Sequence, residues 1–272
     1  MFESAADAVV AGDAAALARM LGENSELVRE RSARDHRSLL LHYVSANGVE
    51  DFRQKTPPNI VEIARMLLDA GADVNAESKA YGGGSTALGL TATSIHPEKA
   101  GLQIGLMELL LARGARIDKG MVNACLANGR GRAAEFLASR GAHLDLEGAA
   151  GVGRLDLVQE FFDAAAKQIT DGLGWACEYA RLDIVRFLLD KNLSREALDR
   201  GLHWAAYAGE PEIVKMLLDR GAPAGEKDER FHATPLGWAM HARNSGRPGR
   251  FSEVIELLIA AGAAPITPSS PK

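Results

Sequence analysis

A nine-residue helical pattern recurs seven times along the chain and limits what the chain can fold into. Each copy has an apolar pair, two unrestricted positions, a second apolar pair and, in five copies, glycine at the ninth position. The copies occupy residues 63–71, 106–114, 133–141, 157–165, 184–192, 213–221 and 254–262, ending about 32 residues apart on average. On a helix these apolar positions form one stripe, and the glycine can adopt the left-handed conformation that ends the helix. We therefore predict stacked helical units, each burying its stripe against the next.

A second short helical segment precedes each striped helix and is clearest at residues 202–209 (LHWAAYAG) and 234–239 (TPLGWA). Together the two segments resemble the ankyrin repeat, whose signature is Thr-Pro-Leu-His-x-Ala-Ala-x-x-Gly followed by Ile-Val-x-x-Leu-Leu-x-x-Gly-Ala. The resemblance covers nearly the whole chain and implies an all-α ankyrin-repeat solenoid of about eight helix–turn–helix units. We predict one domain over residues 1–264, with an N-terminal capping unit at 1–31, and a flexible tail at 265–272.

Composition and charge argue against several classes of partner. The formal net charge of -5 and the pI near 5.8 provide no basic field, so we expect no nucleic-acid partner. Glu3 and Asp7 stand where a leader peptide would need positive charge, and no apolar run approaches the length of a membrane span. We therefore expect a soluble cytoplasmic protein without a membrane partner.

Neither a catalytic motif nor the spacing of a metal site occurs in the sequence. There is no Cys-x-x-Cys and no His-x-x-x-His pair, and we expect Cys125 and Cys177 to be small core residues. His42 and His203 take the signature histidine position, where the resemblance implies a hydrogen bond between loops. We therefore predict no cofactor, no metal and no enzymatic activity. An enzyme of unknown class stays the alternative, because catalytic groups are recognised by geometry rather than by sequence position.

The aromatic residues of one repeat position admit two interpretations. Trp175, Trp204 and Trp238 each precede an alanine pair or its equivalent, and Tyr43 takes the same position in the second unit. We favour packing between neighbouring helices, and the alternative is an exposed platform on which a ligand stacks.

Partner contacts are expected at the variable positions of the first helices and at the turn tips. The resemblance implies that these positions lie on a concave face that binds a partner protein, so that the chain is a non-catalytic interaction scaffold. The expected contact residues are Asn47, Tyr81, Thr93, Ser94, Asn128, Glu178, Tyr179, Tyr207 and His241. Tyr179 and Tyr207 are the foremost anchors, because tyrosine offers a large, stiff surface with a polar end.

Three connections are longer than the repeat requires, near residues 49–59, 96–102 and 244–252. Since the first two belong to adjacent units, we hypothesise that residues 48–59 and 95–103 form one composite surface. Its polar candidates are Arg53, Gln54, Lys55, His96, Glu98 and Gln103. The alternatives are tolerated surface insertions and, for function, a small-molecule-binding or catalytic pocket near these two insertions.

Overall fold

The structure, a computed structural model, describes residues 1–164 and 168–263. Its backbone contacts divide the chain into two compact units, residues 1–143 and the residues from 144 onward. One continuous domain over residues 1–264 stays a prediction, and the expected tail at 265–272 lies outside the described residues.

Residues 1–143, all of which are described, form four helical hairpins. In chain order their helices are α1 (Phe2–Ala11), α2 (Ala14–Glu23), α3 (Leu40–Tyr43), α4 (Ile60–Asp69), α5 (Ala87–Thr93), α6 (Ile95–Lys99), α7 (Gln103–Ala112), α8 (Met121–Ala127) and α9 (Gly131–Ser139). The hairpins pair α1 with α2, α3 with α4, α5 with α7, and α8 with α9, whereas α6 lies inside the third connection. First helices pack on first helices (α1, α3, α5, α8), and second helices on second helices (α2, α4, α7, α9). The predicted all-α stack is therefore confirmed in this unit.

The predicted stripes form the core of these hairpins. Ile63 and Leu67 of α4, and Leu106 and Leu110 of α7, are completely buried, as their spacing on a helix requires. Burial of each such side chain contributes about 1.5–3 kcal/mol. A two-stranded antiparallel ribbon, β1 (Glu77–Ser78) and β2 (Ser85–Thr86), precedes α5.

The signature histidine of the second hairpin joins two loops, as the resemblance implied. The imidazole Nδ1 of His42 accepts a hydrogen bond from the Leu39 backbone N–H, and its Nε2 donates to the Ala76 carbonyl oxygen, 3.0 Å away. Burial lowers the pKa of His42, which favours this neutral, single-donor form. His203 makes the corresponding contact in the second unit, from Nε2 to the Ala233 carbonyl oxygen at 3.1 Å.

The first insertion, near residues 49–59, holds the N-terminal helix α1 against the neighbouring hairpin. Arg53, only 4% exposed, reaches α1, where its guanidinium donates to the carboxylates of Glu3 at 2.6 Å and Asp7 at 2.8 Å. It also pairs with Glu50 of its own segment at 3.0 Å. Arg53 is therefore an internal clamp, and its expected place on a partner-binding surface is wrong because its donors are occupied inside the protein.

The second insertion is fastened in a similar way. The buried Gln103 side-chain amide donates to the carbonyl oxygens of Thr91 and Ala92 in the last turn of α5 and of Ser94, which follows it. The last carbonyls of a helix lack intrahelical donors of the usual kind, and the amide supplies a donor to these three. Gln103 therefore caps a helix from inside and is not the surface residue that we expected.

Four further hairpins occupy the described part of the second unit, residues 144–164 and 168–263. Their helices are α10 (Leu146–Val152), α11 (Leu155–Phe161), α12 (Ile169–Glu178), α13 (Leu182–Leu189), α14 (Arg195–Ala208), α15 (Pro211–Asp219), α16 (Pro235–Asn244) and α17 (Phe251–Ala260). The first helices α10, α12, α14 and α16 pack in sequence, as do the second helices α11, α13, α15 and α17. Cys177 is a buried free thiol in this core, as is Cys125 in the first unit.

The third insertion folds back onto the preceding hairpin. The Arg250 backbone N–H donates to the Gly209 carbonyl oxygen at 2.9 Å, and a Cβ atom at Gly209 would lie only 2.8 Å from the Gly249 Cα. Two glycines therefore allow the backbones to touch. Among the described residues, no helix has the length and apolarity to cross a membrane.

We predict that Arg53→Ala destabilises the protein by about 2 kcal/mol, because three carboxylates lose the cation that holds α1. Lys55→Ala is the matched control, since Lys55 is an exposed cation of the same insertion. Urea unfolding followed by circular dichroism measures both changes. Equal unfolding free energies for the two variants would contradict the clamp.

Candidate functional site

The second unit carries a continuous row of aromatic rings on its first helices, which we call the aromatic strip. Its members are Trp175 of α12, Tyr179 directly after α12, Trp204 and Tyr207 of α14, Trp238 of α16, and Phe231 from the loop before α16. The ring centroids of Trp175 and Trp204 are 5.8 Å apart, those of Trp204 and Trp238 5.0 Å, and those of Trp238 and Phe231 5.7 Å. Such distances are typical of attractive contacts between aromatic rings.

The rings of the strip are half-buried, and Phe231 is 61% exposed. The tryptophans do pack between neighbouring helices, as predicted, and Trp204 packs against the buried core, but all three rings stay partly exposed. Tyr43, in the same repeat position of the first unit, is completely buried, because Phe2 and Arg53 pack around it. The tryptophan rings contact one another edge to face or tilted, along one face of the unit.

The helical spacing of the aromatic residues and a glycine, Gly174, determine where these rings lie. Tyr207 follows Trp204 by three residues and Tyr179 follows Trp175 by four, so each pair shares a helix face. A Cβ atom at Gly174 would lie 3.0 Å from Cδ1 of Trp204. The glycine therefore lets the indole rest against the backbone of the neighbouring helix.

Asp228 holds the loop that presents Phe231. Its carboxylate accepts hydrogen bonds from the backbone N–H groups of Arg230, Phe231 and Ala233 and, at 2.9 Å, from the indole Nε1 of Trp238. Although burial opposes ionisation, the hydrogen bonds prevail and lower the pKa of Asp228. Asp228 was not among the residues predicted from the sequence. The pattern that could have indicated it is an aspartate in a loop, whose carboxylate can accept the backbone N–H two residues later, here that of Arg230.

Arg247, from the third insertion, covers one edge of the strip. Its guanidinium carbon lies 4.4 Å from the centroid of the Tyr207 ring, and its Nη2 lies 3.5 Å from Oε1 of Glu178. Glu178 is only 8% exposed, so its expected role as a solvated contact residue is wrong. Burial raises the pKa of Glu178 to about 7, and Arg247 opposes the shift.

The expected contact residues of the first unit meet in a separate recess of about 420 Å³. The lining includes Asn47, Tyr81, Thr93, Ser94 and Asn128, together with Gln54 and His96 from the two insertions, and Ile95 and Arg130. Gln54 of the first insertion and His96 of the second therefore do line one recess.

A hydrogen-bond chain organises this recess. The Tyr81 hydroxyl donates to Oδ1 of Asn47 at 2.5 Å, and Nδ2 of Asn47 donates to Oγ1 of Thr93 at 3.1 Å. Tyr81 is 75% exposed, and its backbone φ of 52° is a left-handed conformation that is costly for a residue with a side chain.

Four further predicted site residues have simpler surroundings. The Ser94 hydroxyl accepts the His96 backbone N–H at the start of α6, and Glu98 is ion-paired with Arg130. Lys55 and His241 are exposed. Among the described residues, no group of three or more His, Cys, Asp or Glu side chains has the arrangement of a metal site.

We predict that Glu178→Gln stabilises the protein at pH 8 and changes little near pH 5. Because the pKa of Glu178 in the folded protein lies above the ordinary glutamate value of 4.5, the stabilisation from the neutral carboxyl is present below pH 4.5 and is lost as the pH rises through 7. Glutamine does not ionise, so the variant does not lose this stabilisation. Between pH 4.5 and 7 its free energy of unfolding should therefore rise by on the order of 3 kcal/mol relative to that of the wild type. Urea unfolding at both pH values measures the difference, with Glu256→Gln on the exposed face of α17 as control. A variant less stable than the wild type at pH 8 would show that the Arg247 ion pair dominates instead.

Two comparisons with known proteins found a similarity. The model of the ankyrin-repeat family, described as "Ankyrin repeats (3 copies)", matches residues 146–228 and 173–267. Among solved structures, the chain is similar to the human ASB11 ankyrin repeat domain, with 21% identity, a TM-score of 0.49, and coverage of 96% of this chain and 99% of that one. No curated protein sequence matches the chain. Ankyrin repeats are generally protein–protein interaction modules. Residues 146–267 therefore carry ankyrin repeats.

Proposed function

We propose that this protein binds a partner protein through the aromatic strip and acts as a non-catalytic scaffold. The observation that carries the proposal is the row of six touching aromatic rings, half-buried or exposed, on the first-helix face of one unit. Tryptophan and tyrosine are the residues on which binding energy most often concentrates. Apolar side chains that remain partly exposed in one contiguous patch also mark interaction sites on soluble proteins.

The packing of the strip supports binding without large rearrangement. Trp204 rests on the backbone at Gly174, and Asp228 fixes Trp238 and the loop of Phe231 through hydrogen bonds. Rings that are already immobilised lose little conformational entropy when a partner covers them. Tyr179 and Tyr207, the anchors expected from the sequence, flank the tryptophans and pack against their rings.

The recess of the first unit supports a second candidate function, the binding of a small polar molecule. Its volume of about 420 Å³ lies within the range of ligand pockets, and hydroxyl, amide and imidazole groups line it. Screening polar metabolites by thermal shift, with Asn128→Ala as the recess variant, tests this candidate. A ligand that stabilises the wild type and the variant equally would place its site elsewhere.

We predict that the Tyr179→Ala, Tyr207→Ala double variant loses its partner while it keeps its fold. Affinity capture from the native cell, followed by mass spectrometry, should show at least a tenfold loss of one co-purifying protein. Ile259→Ala removes an exposed apolar side chain from α17 of the same unit and should leave capture unchanged. Urea unfolding verifies that all variants are folded, and equal capture by the wild type and the folded double variant would refute the proposal.

A further inference from the structure

Two groups hold the arginine that covers one edge of the aromatic strip. The guanidinium of Arg247 lies over the ring of Tyr207, with 4.4 Å from its central carbon to the ring centroid, and pairs with the Glu178 carboxylate at 3.5 Å. Among the described residues, no other carboxylate forms an ion pair with this guanidinium. A cation–π contact at a partly exposed site is weak by itself, so the position of the guanidinium depends on the charge of Glu178.

The backbone on both sides of Arg247 is fixed, so that its side chain is the part that can move. The Arg247 backbone N–H donates to the Ala242 carbonyl oxygen of α16 at 3.1 Å, and the Arg250 backbone N–H donates to the Gly209 carbonyl oxygen at 2.9 Å. The Arg247 side chain is 31% exposed. A long arginine side chain at the surface can turn its guanidinium into water while its backbone stays in place.

The carboxyl group of Glu178, at the end of α12, changes its charge near neutral pH. Burial raises the pKa of Glu178 to about 7, and Arg247 opposes the shift. The helices α10, α13 and α14 pack against α12, and none of the charged side chains described on them shifts this pKa. Above pH 7 the ionised carboxylate therefore attracts the guanidinium, and below pH 7 the neutral carboxyl no longer does.

The other arginine of the same insertion has partners that keep their charge. Arg250 pairs with Glu212 and Glu253, which are both exposed. Hydrogen bonds from Arg250 lower the pKa values of both carboxyl groups. These two ion pairs therefore persist at pH values at which Glu178 is neutral, and the insertion stays attached while the contact of Arg247 weakens.

We infer that Arg247 is a pH-dependent cover of the aromatic strip, which shields Tyr207 while Glu178 is ionised and leaves the ring when Glu178 is protonated. The inference rests on the proposed function and adds its regulation. Tyr207 is one of the two expected tyrosine anchors, and a partner that contacts its ring face must first displace the guanidinium. At high pH this displacement breaks an ion pair, so that partner binding is weaker than at low pH.

Hydroxyl-radical footprinting, quantified by peptide mass spectrometry, measures the exposure of Tyr207 in the free full-length protein. Tyr81, which is 75% exposed, serves as the internal reference. We predict that the relative oxidation rate of Tyr207 increases about twofold from pH 8 to pH 5.5, because the guanidinium leaves the ring face. Glu178→Gln and Arg247→Ala should show the higher rate at both pH values. Glu256→Gln, on the exposed face of α17, should behave like the wild type.

The wild-type measurement decides the matter even if a variant does not fold, and circular dichroism at both pH values verifies the fold. A Tyr207 rate that is the same at pH 8 and pH 5.5 in the wild type would overturn the inference. A pH-dependent rate that persists in a folded Glu178→Gln variant would do so as well, because another group would then be responsible.

The footprinting and the capture experiment separate the two proposals, since footprinting needs no partner. If Tyr207 is uncovered at pH 5.5 but the tyrosine double variant keeps its partner, the proposed function fails and the cover regulates no binding at the strip. If the double variant loses its partner, Arg247→Ala should capture several-fold more of that protein than the wild type at pH 8, and a similar amount at pH 5.5. Equal capture by the two proteins at pH 8 would refute the regulation and leave the proposed function intact.

Discussion

The close approach of neighbouring first helices is the constraint on which the rest of the structure depends. In the second unit, a Cβ atom at Gly172 would lie 2.5 Å from Cδ2 of Leu146, and one at Gly201 would lie 3.1 Å from Cδ2 of Leu173. These glycines sit inside helices, where they cost roughly 0.5–1 kcal/mol relative to alanine. The cost is offset because each helix can then pack directly on the next, and short helices of this kind are not stable alone.

That packing also creates the candidate site. When first helices lie side by side, one repeat position recurs as a row, and large side chains at that position touch their equivalents in the next hairpin. Trp175, Trp204 and Trp238 occupy this position, and their rings consequently form a strip instead of three separate contacts. The aromatic strip is thus a direct product of the repetition that stabilises the fold.

The insertions show how polar residues become structural parts of a repeat protein. Arg53 and Gln103 come from segments without helical periodicity, yet both end inside the protein with their donors satisfied. Buried polar groups are tolerated only when they are paired, and these two side chains donate to carboxylates and to backbone carbonyls respectively. Arg247 differs, since its guanidinium stays partly exposed at the edge of the strip. Of the three insertions, the last therefore bears most directly on the aromatic surface.

The sequence by itself determined the elements that depend on local spacing. The apolar stripes and the shared face of Tyr207 and Trp204 follow from helical periodicity, and the resemblance to the ankyrin repeat implied the loop-bridging histidines. Only the tertiary structure decided which side chains at one repeat position are buried. Phe2 and Arg53 enclose Tyr43, while the tryptophans stay partly exposed. It also decided the burial of Glu178 and the position of Arg247, which contact each other across 69 residues of chain. Such contacts depend on where the insertions pack against the helices. That position cannot be predicted from the spacing of residues that are close in sequence.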